Sequence, residues 1–377
     1  MRKILYISDL NEAAPIFHSQ VIPHVRELKK NFDITLVILN RNSIARHGQE
    51  NAVNYNSIKG DYIYYLAGIN FLKQKEKMRA ILKNASFDLI YSRGIRGGIV
   101  GSFIKKSFYS NRITLLNDIR GDALDGQDRN FINKAISNHT TKLIYNSADI
   151  LFVVSNYLKE KICSDYSFNS NNAYVFPTFV PDNKFDFNEG NRKNIRKELG
   201  FRDTDIVILY SGSLVKFQNV ETILSAFRLS SNPDLKMLIL TKDNEIKSLV
   251  EKYGLSMDRI RIKSMVYEDI EKYYHAADFG ILIRDNTNTN KSAAPTKFAE
   301  YVNSGLSVII NSIDADYVRI FKEKKLQGVL LEKKEELLDC FNNITMSHIH
   351  RNVLKINTLS ELVNKQKEIL NNLNLQI

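Results

Sequence analysis

Lys297 and Glu300 stand three residues apart in the stretch Pro295-Thr296-Lys297-Phe298-Ala299-Glu300-Tyr301. On a helix that spacing places both on one face. Pro295 suits a first helical turn, and Gly305 suits the helix end, so a helix Thr296–Asn303 is predicted. It follows a strand ending at Arg284 and a polar loop of about ten residues. A helix N-terminus beside a strand's carboxyl end is an anion-binding location. There a lysine meets phosphate as a point charge, and an arginine holds two oxygens at once. A carboxylate accepts from paired hydroxyls such as a ribose. An ordinary i,i+3 ion pair on a solvated helix explains the same spacing.

A second stretch, Ser211-Gly212-Ser213, opens a strand-to-helix turn whose backbone N–H groups can approach a phosphate closely. Lys216 adds charge to it. A routine turn reads the same way. In the first half, Asn117-Asp118-Ile119-Arg120-Gly121 follows a strand, with Asp122, Asp125 and Asp128 beyond it. Asp118 or Arg120 there is placed to orient an acceptor hydroxyl; a helix N-cap and a solvated acidic loop account for them equally well.

These residues need strands that end at one edge and helices that begin there. Strand patterns run at Lys3–Ser8, Ile34–Leu39, Leu89–Ser92, Ile113–Asn117 and Ile150–Ser155. In the second half they run at Ile206–Tyr210, Lys236–Leu240, Arg259–Lys263, Phe279–Ile283, Val308–Asn311 and Gly328–Leu331. Helical patterns fill the gaps, among them Phe17–Lys30, Gln74–Lys83, Phe131–Ser147 and Asn156–Asp165. Short apolar runs between helices mark parallel sheets buried on both faces. The class is α/β, with two doubly wound domains facing a cleft. The linker falls near Pro177–Asn194, where periodicity lapses. The expected domains are 1–178 and 190–345, with a terminal helix over 346–377 that returns to the first.

The order of these features resembles a known family. The stretches YYHAADFGILIR and PTKFAEYVNSGLSVI, with ADILFVVSNYLKEKI and YVFPTFVPDNKF before them, are similar to the GT-B glycosyltransferases, specifically retaining family four. The resemblance is specific from about Ser147 onward. It implies two Rossmann-like domains, a nucleotide-sugar donor (a UDP-sugar) and no metal or other cofactor. Glu300 matches the second glutamate of the family's E-x7-E motif, which holds the donor ribose. The first would fall at Ser292. Ser213 and Gln218 stand where the family has a phosphate-binding Arg and Lys, so the diphosphate falls to Lys216, Arg284 and Lys297. A branch of bacterial polysaccharide transferases shares the G-S-x-x-K-x-Q turn of Gly212–Gln218, the R-x5-N loop of Arg284 and Asn290, and the P-T-K-x-x-E-Y helix. The resemblance implies hexosyl transfer to a saccharide or lipid-linked saccharide in cell-surface polysaccharide synthesis. A sugar-nucleotide 2-epimerase is disfavoured by its missing motifs. A degenerate, non-catalytic binding protein is the other reading, prompted by Ser213 and Ser292.

Composition bounds the partners. The chain has 377 residues, 44% hydrophobic and 25% charged, with a formal charge of +11. Residues 1–182 hold 24 basic and 16 acidic residues, a net of +8. That suits phosphate-bearing partners. Phe71–Lys83 is a basic amphipathic segment, which an anionic membrane surface or ordinary packing of its apolar face explains. No nucleic-acid module is recognisable. Two cysteines and no apolar run of ~18 residues fit a cytoplasmic protein, peripheral on the inner face of the plasma membrane. Of the two D-x-D triplets, Asp203–Asp205 lies before a strand, at the wrong end for a ligand, and Asp314–Asp316 reads as a turn with a helix N-cap; neither is read as a metal site.

Overall fold

The computed structural model describes residues 1–9, 16–40, 63–67, 82, 86–109, 112–121 and 141–373. The chain divides into two compact units. One is Met1–Pro177 with Leu359–Ile377, and the other is Thr178–Thr358. The basic segment around Phe71–Lys83, apart from Leu82, and Asp122, Asp125 and Asp128 lie outside the described residues.

The first unit holds a parallel sheet of β1 (Lys3–Ser8), β2 (Asp33–Asn40), β3 (Ile63–Ala67), β4 (Leu89–Arg93), β5 (Thr114–Ile119), β6 (Ile150–Val153) and β7 (Ala173–Val175). Its order is β3-β2-β1-β4-β5-β6-β7. The second holds β8 (Ile206–Ser211), β9 (Leu235–Leu240), β10 (Ile260–Lys263), β11 (Phe279–Leu282), β12 (Ser307–Asn311) and β13 (Gly328–Leu331). Its order is β10-β9-β8-β11-β12-β13, again parallel. Alternate residues of β8 feed two cores, Val207 and Leu209 into one and Ile206, Ile208 and Tyr210 into the other. Burial on both faces is why these strands read as continuous apolar runs. In each sheet the strand order reverses next to the first strand, at β1/β4 and at β8/β11. Ligand crevices of open α/β sheets lie at that reversal, outside the carboxyl ends.

Four features differ from the sequence reading. Strands β3 and β7 extend the first sheet beyond the strands read from the sequence. The helix Gly94–Phe108 was not expected, because its four glycines depress helix propensity. Close approach explains at least one: a Cβ on Gly101 would stand 2.1 Å from Ser92 Oγ, so the helix lies against β4 only without it. The polar loop after Arg284 contains a short helix, Asn288–Ser292, capped by the Thr287 side chain accepting from Asn290 N–H.

The terminal helix is Leu359–Asn372, not a helix over 346–377. Before it, polar groups of the chain are drawn into tertiary bonds that override the helical pattern. Asn352 N–H donates to Gly305 O (3.2 Å), Ile356 N–H to Asn303 Oδ1 (3.1 Å), and Asn357 O accepts from Val180 N–H (2.9 Å). The terminal helix itself rests on the first unit. Gln366 Oε1 lies 2.6 Å from His24 Nε2, Lys367 pairs with Glu27 at 3.3 Å, and Arg2 donates to Leu370 O.

Candidate active site

The carboxyl ends of β8 and β11 carry the first group of side chains. Gly212 follows β8 with φ +147°, and a Cβ there would stand 1.8 Å from Lys297 Nζ. Glycine suits that backbone angle, and the Lys297 ammonium lies in the space a Cβ would take. Lys297 sits in the first turn of Thr296–Asn303, whose N-cap is Pro295. Its Nζ donates to Gln218 Oε1 (3.2 Å) and lies 5.6 Å from the Tyr210 ring centre. Burial, with the neighbouring Arg284 charge, pushes the Lys297 pKa down to about 7.

Arg284 follows β11 and is only 5% exposed. Asn311, ending the adjacent β12, clamps its backbone from both sides. Arg284 N–H donates to Asn311 Oδ1 and Asn311 Nδ2 to Arg284 O, each at 2.8 Å. The guanidinium donates to Phe217 O (3.2 Å) and lies 5.5 Å from that ring's centre. Burial lowers its pKa as well. Among the described residues, neither Arg284 nor Lys297 has a carboxylate at ion-pair distance. Arg284 is buried and Lys297 partly so, and two such neighbouring cations without an ion-pair partner are costly alone; an anion beside them relieves both.

Glu300, 6% exposed, completes the group. Its Oε2 accepts from the Tyr274 hydroxyl at 2.8 Å, and burial raises its pKa. The Tyr274 oxygen also lies 2.9 Å from Ser211 Oγ, while Ser211 N–H donates to the Tyr301 hydroxyl (3.0 Å). The predicted residues divide accordingly. Gly212, Gln218, Arg284, Lys297 and Glu300 share one neighbourhood at the sheet edge. Ser213 offers its carbonyl to the Tyr210 hydroxyl (2.6 Å). Lys216 is exposed in a 3-10 turn. Asn290 and Ser292 are buried and shape the short helix: Asn290 Nδ2 donates to Asp285 O (2.9 Å), Ser292 Oγ to Asn288 O (2.8 Å). Sequence reasoning missed Asn311 and Tyr274. The available signal was a polar residue ending an apolar strand, and a tyrosine four residues before Asp278.

The first unit corrects an expectation. Asp118, read as free to orient an acceptor hydroxyl, is 0% exposed. Arg93 Nη1 reaches its Oδ2 at 2.9 Å, Arg120 Nε stands 2.7 Å from Oδ1, and the Tyr91 hydroxyl donates to Oδ2 at 3.0 Å. Burial alone would raise its pKa, but Arg120 and Arg93 hold it below the usual carboxylate range. Arg120, 15% exposed, also donates to Phe176 O (3.2 Å). Behind them Tyr6 stacks on Tyr91 at 4.6 Å, and its hydroxyl lies 3.1 Å from His24 Nδ1. Burial, with the Arg93 charge, pushes His24 down to about 3, so its ring is neutral at neutral pH.

Comparison with known proteins adds the class. The chain has the GT-B fold of α/β proteins with two Rossmann-like domains. It is similar to HepE of Anabaena in complex with UDP and glucose, at 13% identity and a TM-score of 0.74, covering 99% of this chain and 100% of that one. A glycosyltransferase from Rickettsia africae is similar at 15% identity and a TM-score of 0.72, covering 98% and 97%. The lipopolysaccharide outer core galactosyltransferase WaaB in its apo form gives 13% and 0.63, covering 96% and 95%. No curated protein sequence matches. Residues 191–358 match the family described as glycosyl transferases group 1. That match lies within the second unit, Thr178–Thr358.

Proposed function

We propose that the chain moves a hexose from a UDP-sugar to a saccharide or lipid-linked saccharide, with retention, in cell-surface polysaccharide synthesis. The observation that carries this reading is the pair of neighbouring cations, Arg284 buried and Lys297 partly buried, without an ion-pair partner beside Glu300. Arg284 and Lys297 take the diphosphate and stabilise the charge that grows as it departs. Glu300 accepts from the ribose hydroxyls. Gln218 holds the lysine, and Gly212 gives it room. The departing phosphate takes the proton of the acceptor hydroxyl, so the protein's work is positioning. Asp118 acts through Arg120 rather than on substrate. HepE with UDP and glucose supports the donor, and WaaB supports a saccharide acceptor. The domains proposed are an acceptor side over 1–178, a donor side over 190–345, and a terminal segment serving the first. Among the described residues no helix is long and apolar enough to cross a membrane. The basic first half supports peripheral contact with an anionic inner membrane face, from the cytoplasmic side.

A hydrolysis screen across nucleotide sugars tests the reading. Slow release of UDP from one UDP-sugar is expected. No turnover of any donor, together with no UDP binding, sinks it. Glu300→Ala loses a charge-assisted bond worth about 1.5–3 kcal/mol, so UDP affinity by calorimetry should fall roughly tenfold to a hundredfold. Unchanged affinity would make Glu300 a packing residue.

Donor binding is also coupled to protons. Free Lys297 titrates at about 7, and a phosphate beside it raises that value. Between the two values the complex holds more protons than the free protein. Affinity must therefore fall as pH rises through that window. Calorimetry at about pH 7.5 in buffers of different ionisation enthalpy should give proton uptake that Lys297→Arg abolishes. Equal proton counts for parent and variant would refute the coupling.

A further inference from the structure

We infer that Tyr274 is the positioning residue of the donor carboxylate, its hydroxyl fixing one oxygen of Glu300 so that the other meets the ribose. This rests on the reading that Glu300 holds the donor. Glu300 lies on the helix Thr296–Asn303 and Tyr274 on the helix Ile270–Ala276, so the bond joins two βα units of the sheet. Tyr274 is fully buried. Its ring is tilted against Tyr301 and Phe185, each 5.5 Å away between centres, so the phenol cannot swing aside. Its oxygen, 2.8 Å from Glu300 Oε2, is anchored from below by Ser211 Oγ at 2.9 Å. A phenol has one hydrogen to give. Oε2 and Ser211 Oγ both stand within its reach, and the ionised carboxylate is the stronger acceptor. Glu300 Oε1 accepts no hydrogen bond from the described residues and is not sealed from solvent. One oxygen is thus held and the other is left for a ligand.

The arrangement also sets the carboxylate's charge. Lys297 and Tyr301 face Glu300 from its own helix, Lys184 from the segment after Thr178, and Tyr267 and Tyr274 from the stretch around Ile270. Of these, the Tyr274 hydroxyl is the direct hydrogen-bond donor to the ionised form. Without it the carboxylate protonates at higher pH and stops accepting from hydroxyls there.

The test is UDP affinity against pH for the full chain. Tyr274→Phe should bind UDP about tenfold more weakly near neutral pH, the scale of one lost bond to a charged group. Its loss of binding on acidification should begin at higher pH than in the parent. Replacing Tyr274 with 3-fluorotyrosine, a stronger donor of the same size, should move that loss to lower pH, and decides the matter if Tyr274→Phe does not fold. A Tyr274→Phe protein that binds within twofold of the parent, with an unmoved acid limb, overturns the inference. Glu300→Gln run alongside separates the failures. If it weakens binding while Tyr274→Phe does not, only the positioning role falls. If it too binds normally, Glu300 is not the donor carboxylate and both readings fall.

Discussion

Arg284→Ala and Lys297→Ala are each expected to slow turnover at saturating donor by about 10²–10³, the usual loss when one preorganised donor is removed from a charge-developing site. Arg284 is already desolvated, burial depresses the Lys297 pKa, and Asn311 holds the Arg284 backbone on both sides. Little reorganisation remains when the diphosphate departs. Arg284 is the more demanding position, since its fork spans two oxygens and lysine cannot replace it. Lys242, exposed on the loop after β9, is the control, and Lys242→Ala should leave the rate unchanged. Transfer rates for all three within about threefold of the parent, a free-energy difference well below that of one lost donor, would remove the proposed diphosphate site.

Asp118→Ala should destabilise the first unit by about 3–5 kcal/mol, the cost of leaving a buried charge without its partner. Arg93 is 2% exposed and keeps its charge, and the Tyr91 hydroxyl loses its acceptor. A chain of two units need not unfold in one step, so the measurement should be local. Amide exchange in β4 and β5 should accelerate while β8 and β11 stay protected. The triple variant Arg93→Met, Asp118→Leu and Arg120→Met should recover much of the loss, because apolar replacement of a whole buried ion triad is often neutral. Unaltered protection in Asp118→Ala would mean that the carboxylate carries no stabilising charge.

Most of the architecture is legible because parallel strands buried on both faces leave continuous apolar runs. The strand read at Lys3–Ser8 is β1, and the helix read at Thr296–Asn303 has those bounds. What escaped was set by tertiary contact. Gly94–Phe108 looks unlike a helix because glycine serves its approach to β4. Residues 349–358 look helical but spend polar groups on Gly305, Asn303 and Val180. At the candidate site, Lys297 and Glu300 could be picked out by type and spacing. Their partners Tyr274 and Asn311 come from other βα units, and no local pattern links them. Asp118 was misjudged for a related reason: a polar residue at a strand's end reads alike whether it faces a substrate or a pair of arginines.

The hydrogen bond between His24 and Gln366 has a bearing on the order of assembly. The second unit is one uninterrupted segment, Thr178–Thr358, whereas the first is split around it. As the polypeptide leaves the ribosome, everything the second unit needs emerges before the last helix of the first unit exists. The part translated later can therefore complete its core sooner. Until then the surface of the helix Ile22–Lys29 that receives Gln366 and Lys367 stays open, and His24 lacks its Gln366 partner. The first unit is a fold that waits for its own last sentence, and nascent-chain protease protection should appear for the second unit ahead of the first.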